Sequence, residues 1–175
     1  MKIKTKKLVL CALFAALTAI LSQIAIPLEP VPINLATFSV FVAGGMLGAA
    51  GGAISMGVYL FIGAVGIPVF SKFRGGLAIL AGPTGGYLIG YVAAAWLVGF
   101  LLSKIGYSYS KLILAMVAGL IACYTFGTAW FMVLSNTGFL AALTACVFPF
   151  LLGDALKIAG AAFLVLKLRP KVTLA

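Results

Sequence analysis

Apolar runs of roughly 16–23 residues follow one another along the chain, separated by short stretches that hold most of the charges, prolines and glycines. A helix needs about 20 apolar residues to cross the hydrocarbon core of a bilayer, within a range of about 17–25. The pattern predicts six such helices, at roughly 8–26, 35–50, 53–70, 84–102, 112–134 and 149–167. The second is short and meets the third at GAAGG (48–52), a tight turn rather than a loop. The first is longer than the h-region of a removable signal, about 7–15 residues. The expected fold is an all-α membrane protein, with residues 1–175 forming a single integral membrane domain.

Composition agrees with the pattern. The chain is 65% hydrophobic and only 8% charged, with a mean hydropathy of +1.28. A soluble domain carries about 25% charged residues because its surface faces water. This chain has too few polar groups to cover itself, so most of its surface is expected to meet lipid.

The net charge of +10 would point to nucleic acid in a soluble protein. Here it reads as membrane orientation, and no nucleic-acid partner is expected. Lys2, Lys4, Lys6 and Lys7 precede the first span, Lys104 and Lys111 bracket the fourth connection, and Lys167, Arg169 and Lys171 follow the last. Six spans put all of these on one face, which the positive-inside rule identifies as cytoplasmic. Both termini are therefore expected in the cytoplasm. Only Lys72 and Arg74 fall in an outer loop.

Two of the outer connections are unusual, which gives long extracellular first and third loops. IPLEPVPIN (26–34) contains Pro27, Pro30 and Pro32, so it is stiff and not helical. SKFRGGLAILAGPTGG (71–86) is glycine-rich yet apolar at LAIL. It is expected to fold over the bundle, bury LAIL and line a cavity, where irregular backbone is tolerated in a membrane protein. NTGFLAALTACVF (136–148) reads either as a short re-entrant helix or as the start, near 139, of an overlong sixth span bent at Pro149.

Small residues recur at four-residue spacing, on one helix face each. Ala12 and Ala16, and again Ala15 and Ala19, lie on the first span, and Gly86, Gly90 and Ala94 on the fourth. Such faces let helix backbones approach closely. For the glycine stripe the expected use is internal packing. The alanine pairs serve either the interior or a second membrane protein. GPTGG (82–86) lacks the Lys-Ser/Thr that completes a phosphate-binding loop, and reads as a turn with Thr84 capping the fourth helix.

The chemistry is sparse. There is no histidine, and Cys11, Cys123 and Cys146 show no paired spacing, so neither a metal site nor a cofactor is expected. No P-loop occurs, so the chain does not hydrolyse ATP through one of its own. Only two acidic residues exist, and one of them, Asp154, lies in the apolar run FLLGDALKIAG with Lys157 three positions on. A charge inside the bilayer costs about 2.5–3.5 kcal/mol on insertion scales, which makes it a functional-site hypothesis. The plainer reading is an ion pair that neutralises itself and joins helices. Arg74, Phe70, Phe73, Tyr87 and Tyr91 sit towards the same end and would suit a small polar ligand. Tyr87 and Tyr91 serve equally as packing or interface aromatics.

The run VPINLATFSVFVAGGMLGAAGGAISMGVYLFIGAVGIPVFSKFRGGLAILAGPTGGYLIGY (31–91), followed by GDALK (153–157), resembles the BioY family, the biotin-binding S components of energy-coupling factor (ECF) transporters. The resemblance covers about residues 8–170. It implies six transmembrane helices in a prokaryotic cell membrane, with biotin bound near the outer side under the first and third loops. It also implies a partner T component and two cytoplasmic ATPase subunits. In that scheme Ala12 and Ala16, or Ala15 and Ala19, dock the T component. Asp154 accepts the ureido N–H groups of biotin as charge-assisted hydrogen bonds. Tyr87 and Phe70 pack on the bicyclic ring. Lys157 holds Asp154 ionised, reaches the ligand, or only packs.

Arg74 departs from the small or amide residue common there in relatives. Its choices are the ureido oxygen, the valerate carboxylate, or snorkelling to water. VPINLAT departs from the usual VPxTLQT, since Ala36 removes an amide for which Asn34 compensates in part. Other readings keep the architecture and change the ligand to another vitamin or a precursor such as dethiobiotin. A membrane enzyme using Asp154 and Lys157 is disfavoured, because too few reactive groups accompany them. A passive channel lacks a ring of pore-lining polar residues.

Overall fold

A computed structural model of the chain describes residues 5–26 and 31–172. Lys2, Lys4, Pro27, Glu29 and Pro30 lie outside the described residues, as does the side chain of Lys171. The fold is almost entirely helical. In order come α1 (Thr5–Gln23), a short strand β1 (Ala25–Ile26), β2 (Ile33–Asn34), α2 (Ala36–Ala64), α3 (Leu77–Ala81), α4 (Gly85–Ile105), α5 (Tyr109–Ser135), α6 (Phe139–Cys146) and α7 (Leu151–Leu168). The two strands pair antiparallel.

Five helical stretches are long and apolar enough to cross a membrane: α1, α2, α4, α5 and the combined stretch Phe139–Leu168. Their outward faces carry large apolar side chains such as Leu13, Phe61, Leu114, Val133 and Leu156. In water that exposure would be unfavourable, whereas lipid tails are as apolar as the side chains themselves. The chain is a multi-pass membrane protein.

Where six spans were expected, the second and third appear as the single 29-residue helix α2, interrupted at Gly48, where φ is 73°. Only glycine adopts that left-handed conformation at little cost. A Cβ built on Gly52 would stand 3.0 Å from the Gly44 Cα, although eight residues of straight helix span about 12 Å. The two halves of α2 therefore double back on each other. The turn needs one non-helical residue, not the five of GAAGG. The second half ends at Ala64 rather than near residue 70, because Gly66 is left-handed (φ 101°) and Pro68 follows.

α4 lies between α2 and α5, α1 packs on α2, and α7 closes the bundle against α2 and α5. Small residues set these approaches. A Cβ on Gly86 would lie 2.3 Å from the Trp130 Cβ, and one on Gly90 3.0 Å from the Cys123 carbonyl oxygen. The glycine stripe of α4 thus packs internally, on α5. On α1 the buried face is Cys11, Phe14, Ala15, Thr18 and Ser22.

Basic residues gather at one end of the bundle. The Lys7 Cε lies 3.2 Å from where a Gly51 Cβ would be, beside the α2 turn. Arg169, after α7, stacks on the Tyr107 ring at 3.3 Å, in the connection between α4 and α5. At the opposite end lie the C-terminus of α1, the N-termini of α2, α4 and α7, and the loop 65–76.

Two local expectations need correction. LAIL is not buried, since Leu77 is 69% exposed and Ile79 and Leu80 are only half-buried. Thr84 precedes α4 but its side chain makes no capping hydrogen bond. The 136–148 segment follows the second of its two readings, an overlong apolar stretch from Phe139 to Leu168 that bends at Pro149. α6 stops at Cys146, a 3₁₀ turn covers Phe148–Phe150 with Pro149 in it, and α7 starts anew.

Candidate functional site

A cavity of about 330 Å³ opens at the end opposite Lys7 and Arg169. That is at the small end of ligand pockets, roughly 300–1,000 Å³. All six residues predicted to bind ligand, namely Asn34, Phe70, Arg74, Tyr87, Asp154 and Lys157, line it. The sequence separates them by up to 123 positions, and four different segments, β2, the loop 65–76, α4 and α7, bring them together.

Asp154 sits in the first turn of α7 and is 2% exposed. Its carboxylate is held from three elements. Lys157 Nζ donates to Oδ1 at 2.8 Å, and Thr37 Oγ1, from the start of α2, donates to the same oxygen at 3.3 Å. The Tyr124 hydroxyl, from α5, donates to Oδ2. An ionised carboxylate offers about four lone-pair positions, so one position on Oδ2 has no donor among the described residues. Lys157 has three N–H donors, of which this pairing uses one. The ion pair exists, as the plainer reading required, and it also faces a cavity.

The aromatic wall is fixed from behind. Phe70 is buried and meets Tyr59 edge-on, with ring centroids 5.5 Å apart. Gly63 lies directly behind Phe70, where a Cβ would stand 2.0 Å from the ring Cζ. Tyr87 is held in the same way by Gly127, where a Cβ would stand 2.2 Å from the ring Cε1. The Tyr87 hydroxyl bonds with Thr128 Oγ1 at 3.3 Å and donates to the Cys146 carbonyl at 3.3 Å. Tyr87 is thus both a packing aromatic and a wall residue. Tyr91, Leu88 and Phe150 extend the apolar surface.

Asn34 Oδ1 accepts the Ala36 N–H at 3.0 Å and so starts α2. Its side chain also hydrogen-bonds with the Tyr91 hydroxyl. Arg74 is exposed at the cavity mouth. Its main chain exchanges two hydrogen bonds with Phe70, at 2.8 and 3.1 Å, while its guanidinium has no hydrogen-bond or ion-pair partner among the described residues.

Sequence reasoning missed Tyr124, Thr37, Tyr59 and Ser71. Thr37 lies inside the VPINLAT motif and was signalled there. Tyr124 had no signal, because a tyrosine in an apolar span reads as an interface aromatic. The Ser71 hydroxyl is buried at the cavity without a hydrogen-bond partner among the described residues.

A second, shallow apolar groove contains Ala12, Ala15, Ala16 and Ala19 together with Val58, Ile62 and Val69. Ala12 and Ala16 are exposed, Ala15 is 2% exposed and Ala19 is half-buried. The 12/16 pair therefore faces outwards, and Ala15 packs against α2. Among the described residues no group of three or more His, Cys, Asp or Glu is placed to hold a metal ion.

The BioY family model matches residues 1–173. The chain is 38% identical over 166 residues to the "Probable biotin transporter BioY" of Pyrococcus horikoshii, covering 95% of this chain and 98% of that one. It is 35% identical over 164 residues to the "Biotin transporter BioY" of Thermotoga maritima, covering 94% and 96%. The structure superposes with a TM-score of 0.91, at 31% identity, on a crystal structure described as the S-component for biotin from an ECF-type ABC transporter. That match covers 98% of this chain and 94% of the other. With a family match along almost its whole length, and the same architecture in a solved relative, the chain belongs to the BioY family.

Proposed function

We propose that this chain captures biotin from the outer side of the membrane, as the S component of an ECF-type transporter. The observation that carries this reading is the buried Asp154 carboxylate. Three donors order it, one acceptor position stays unfilled, and with Lys157 it forms the buried charged point of a cavity that has an aromatic wall and carries Lys72 and Arg74 among its exposed lining residues.

The chemistry of biotin matches that gradient. One ureido N–H takes the open position on Asp154 Oδ2 as a charge-assisted hydrogen bond. The other reaches the carboxylate only by displacing Thr37, the longest of the three bonds at 3.3 Å. Lys157, with two N–H groups to spare, donates to the ureido oxygen. The thiophane ring packs between Phe70 and Tyr87, with Asn34 at the side. The valerate carboxylate then points to the mouth, where Arg74 and Lys72 lie. This depth order favours the valerate over the ureido oxygen as the Arg74 partner.

The doubled-back course of α2 supports six membrane segments rather than five. With six, both termini share a side, and the basic end of the bundle supports a cytoplasmic assignment for it. The cavity then opens outwards. Transport requires a T component and two ATPase subunits on the cytoplasmic side, with the exposed Ala12/Ala16 face of α1 as the docking surface. Two buried charges and a lipid-facing apolar surface are compatible with toppling of the whole bundle in the bilayer.

Uptake of labelled biotin tests the proposal, in cells that lack a biotin transporter of their own. Expression of the chain with its coupling subunits is expected to give saturable uptake, abolished by Asp154→Asn. Uptake of a different vitamin with indifference to biotin would overturn the assigned substrate.

A further inference from the structure

Gln23, the last residue of α1, ties the loop after α2 to the first helix. Its Nε2 lies 3.1 Å from the carbonyl oxygens of both Val69 and Phe70. Its Oε1 accepts the Phe73 N–H at 2.9 Å. Ser22 donates to the same Val69 carbonyl at 2.6 Å, and the Tyr59 hydroxyl reaches it at 3.3 Å. One amide thus grips both sides of the turn 70–74, whose ends, Phe70 and Arg74, pair through their main chains.

The turn needs to be held. Lys72 and Phe73 are consecutive residues in the left-handed region, with φ of 62° and 54°, a conformation that is unfavourable for bulky L-residues. Burial does not compensate, because Phe73 is 74% exposed. The Gln23 bond falls on Phe73 itself, one of the two strained residues. The same turn carries Phe70, Ser71, Lys72 and Arg74, all of which line the cavity. Placement of that wall therefore depends on side chains of α1 that do not line the cavity themselves.

We propose that Gln23 is a positioning residue that latches the 66–74 loop over the cavity and sets how fast ligand leaves. This rests on the reading that the cavity binds biotin. Breaking the latch frees a strained turn, which relaxes away from the site. Because the latch is anchored on α1, whose Ala12/Ala16 face is exposed, a partner that displaces the end of α1 opens the same loop.

The test uses the full chain in lipid nanodiscs, with Gln23→Met, which keeps size and loses every side-chain hydrogen bond, and Ser22→Ala, which removes the Ser22 hydroxyl contacts with Ala19, Val69 and Gln23 but leaves the Gln23 bonds to the loop. Two rates are measured: dissociation of labelled biotin, and trypsin cleavage after Lys72 and Arg74 without ligand. Loss of the Gln23 contacts is expected to speed dissociation by roughly 10- to 100-fold and to speed cleavage at those two sites alone. Ser22→Ala is expected to act in the same direction by less. Phe73→Gly, which relieves the left-handed strain, is expected to restore part of the slow release in the Gln23→Met background.

Wild-type rates in Gln23→Met would overturn the latch. If that variant does not fold, wild-type rates in Ser22→Ala would do so. Cleavage that rises equally at Lys104, Lys111 and Lys167 would also overturn it, because it marks general loosening. A wild-type chain that ignores biotin would remove the functional reading, and the cleavage pattern would still decide the latch.

Discussion

Lys157 Nζ lies 2.8 Å from Asp154 Oδ1 across one turn of α7, with the two side chains only 8% and 3% exposed. Removing one partner of such a pair leaves an uncompensated buried charge and costs about 3–5 kcal/mol, whereas replacing both with apolar groups is often neutral. Lys157→Met is therefore expected to lower the thermal stability of the ligand-free protein sharply. Asp154→Asn/Lys157→Met is expected to recover most of that loss and still not bind biotin. Thermal unfolding and binding on the same preparations separate the two roles. Wild-type affinity in the double variant would leave the pair with a structural role alone.

Tyr124 contributes a hydrogen bond to a charged acceptor, typically worth about 1.5–3 kcal/mol. Tyr124→Phe should destabilise the ligand-free chain by about that amount. Its effect on affinity should be smaller, within about tenfold, because the substitution also frees a second acceptor position on Oδ2. Calorimetric unfolding and titration with biotin provide the two numbers.

Gly63 and Gly127 hold the aromatic wall in place from behind. Alanine at either would bring a Cβ within 2.0 Å of the Phe70 ring or 2.2 Å of the Tyr87 ring, so the ring must move. Gly63→Ala and Gly127→Ala are expected to weaken biotin binding at least tenfold, on the order of 1.4 kcal/mol. Gly57→Ala is the control, since nothing lies within 4 Å of its Cβ position. There the helix is expected to gain up to about 1 kcal/mol from the better helix former, with affinity unchanged.

On α1 the exposed and buried alanines predict opposite phenotypes. Trp at Ala12 or Ala16 should leave biotin binding intact and abolish co-purification with the T component. Trp at Ala15, which is 2% exposed, should instead lower stability, because overpacking a close helix contact costs about 1–3 kcal/mol or more. Co-purification and thermal unfolding of each variant make the comparison. Unchanged co-purification for Ala12→Trp and Ala16→Trp would move the docking surface elsewhere.

Much of this was legible because lipid imposes simple rules. A span must be long and apolar, and a charge within one is costly, so the helices and Asp154 stood out in the bare sequence. The same solvent hid other features. In a bilayer an apolar side chain gains little by turning inwards, so hydrophobicity did not reveal which span residues, such as Leu13 and Leu114, face out. The partners of Asp154 were hidden for another reason. Tyr124 is 30 positions away on α5, and nothing in its neighbourhood distinguishes it from an interface tyrosine. The reversal within α2 needed only Gly48 in the left-handed region, and GAAGG offers several glycines with no local signal to choose between them. Gln23 was missed because its partners in the loop are main-chain groups, which are the same in every sequence.

The central claim is that Asp154 is the deep polar contact for biotin, and equilibrium binding of labelled biotin to the purified chain and to Asp154→Asn tests it most directly. Tight binding by the wild type is expected, with a loss of about 2–5 kcal/mol, or at least 30-fold in affinity, for Asp154→Asn. A folded Asp154→Asn protein that binds biotin as the wild type does would contradict the account.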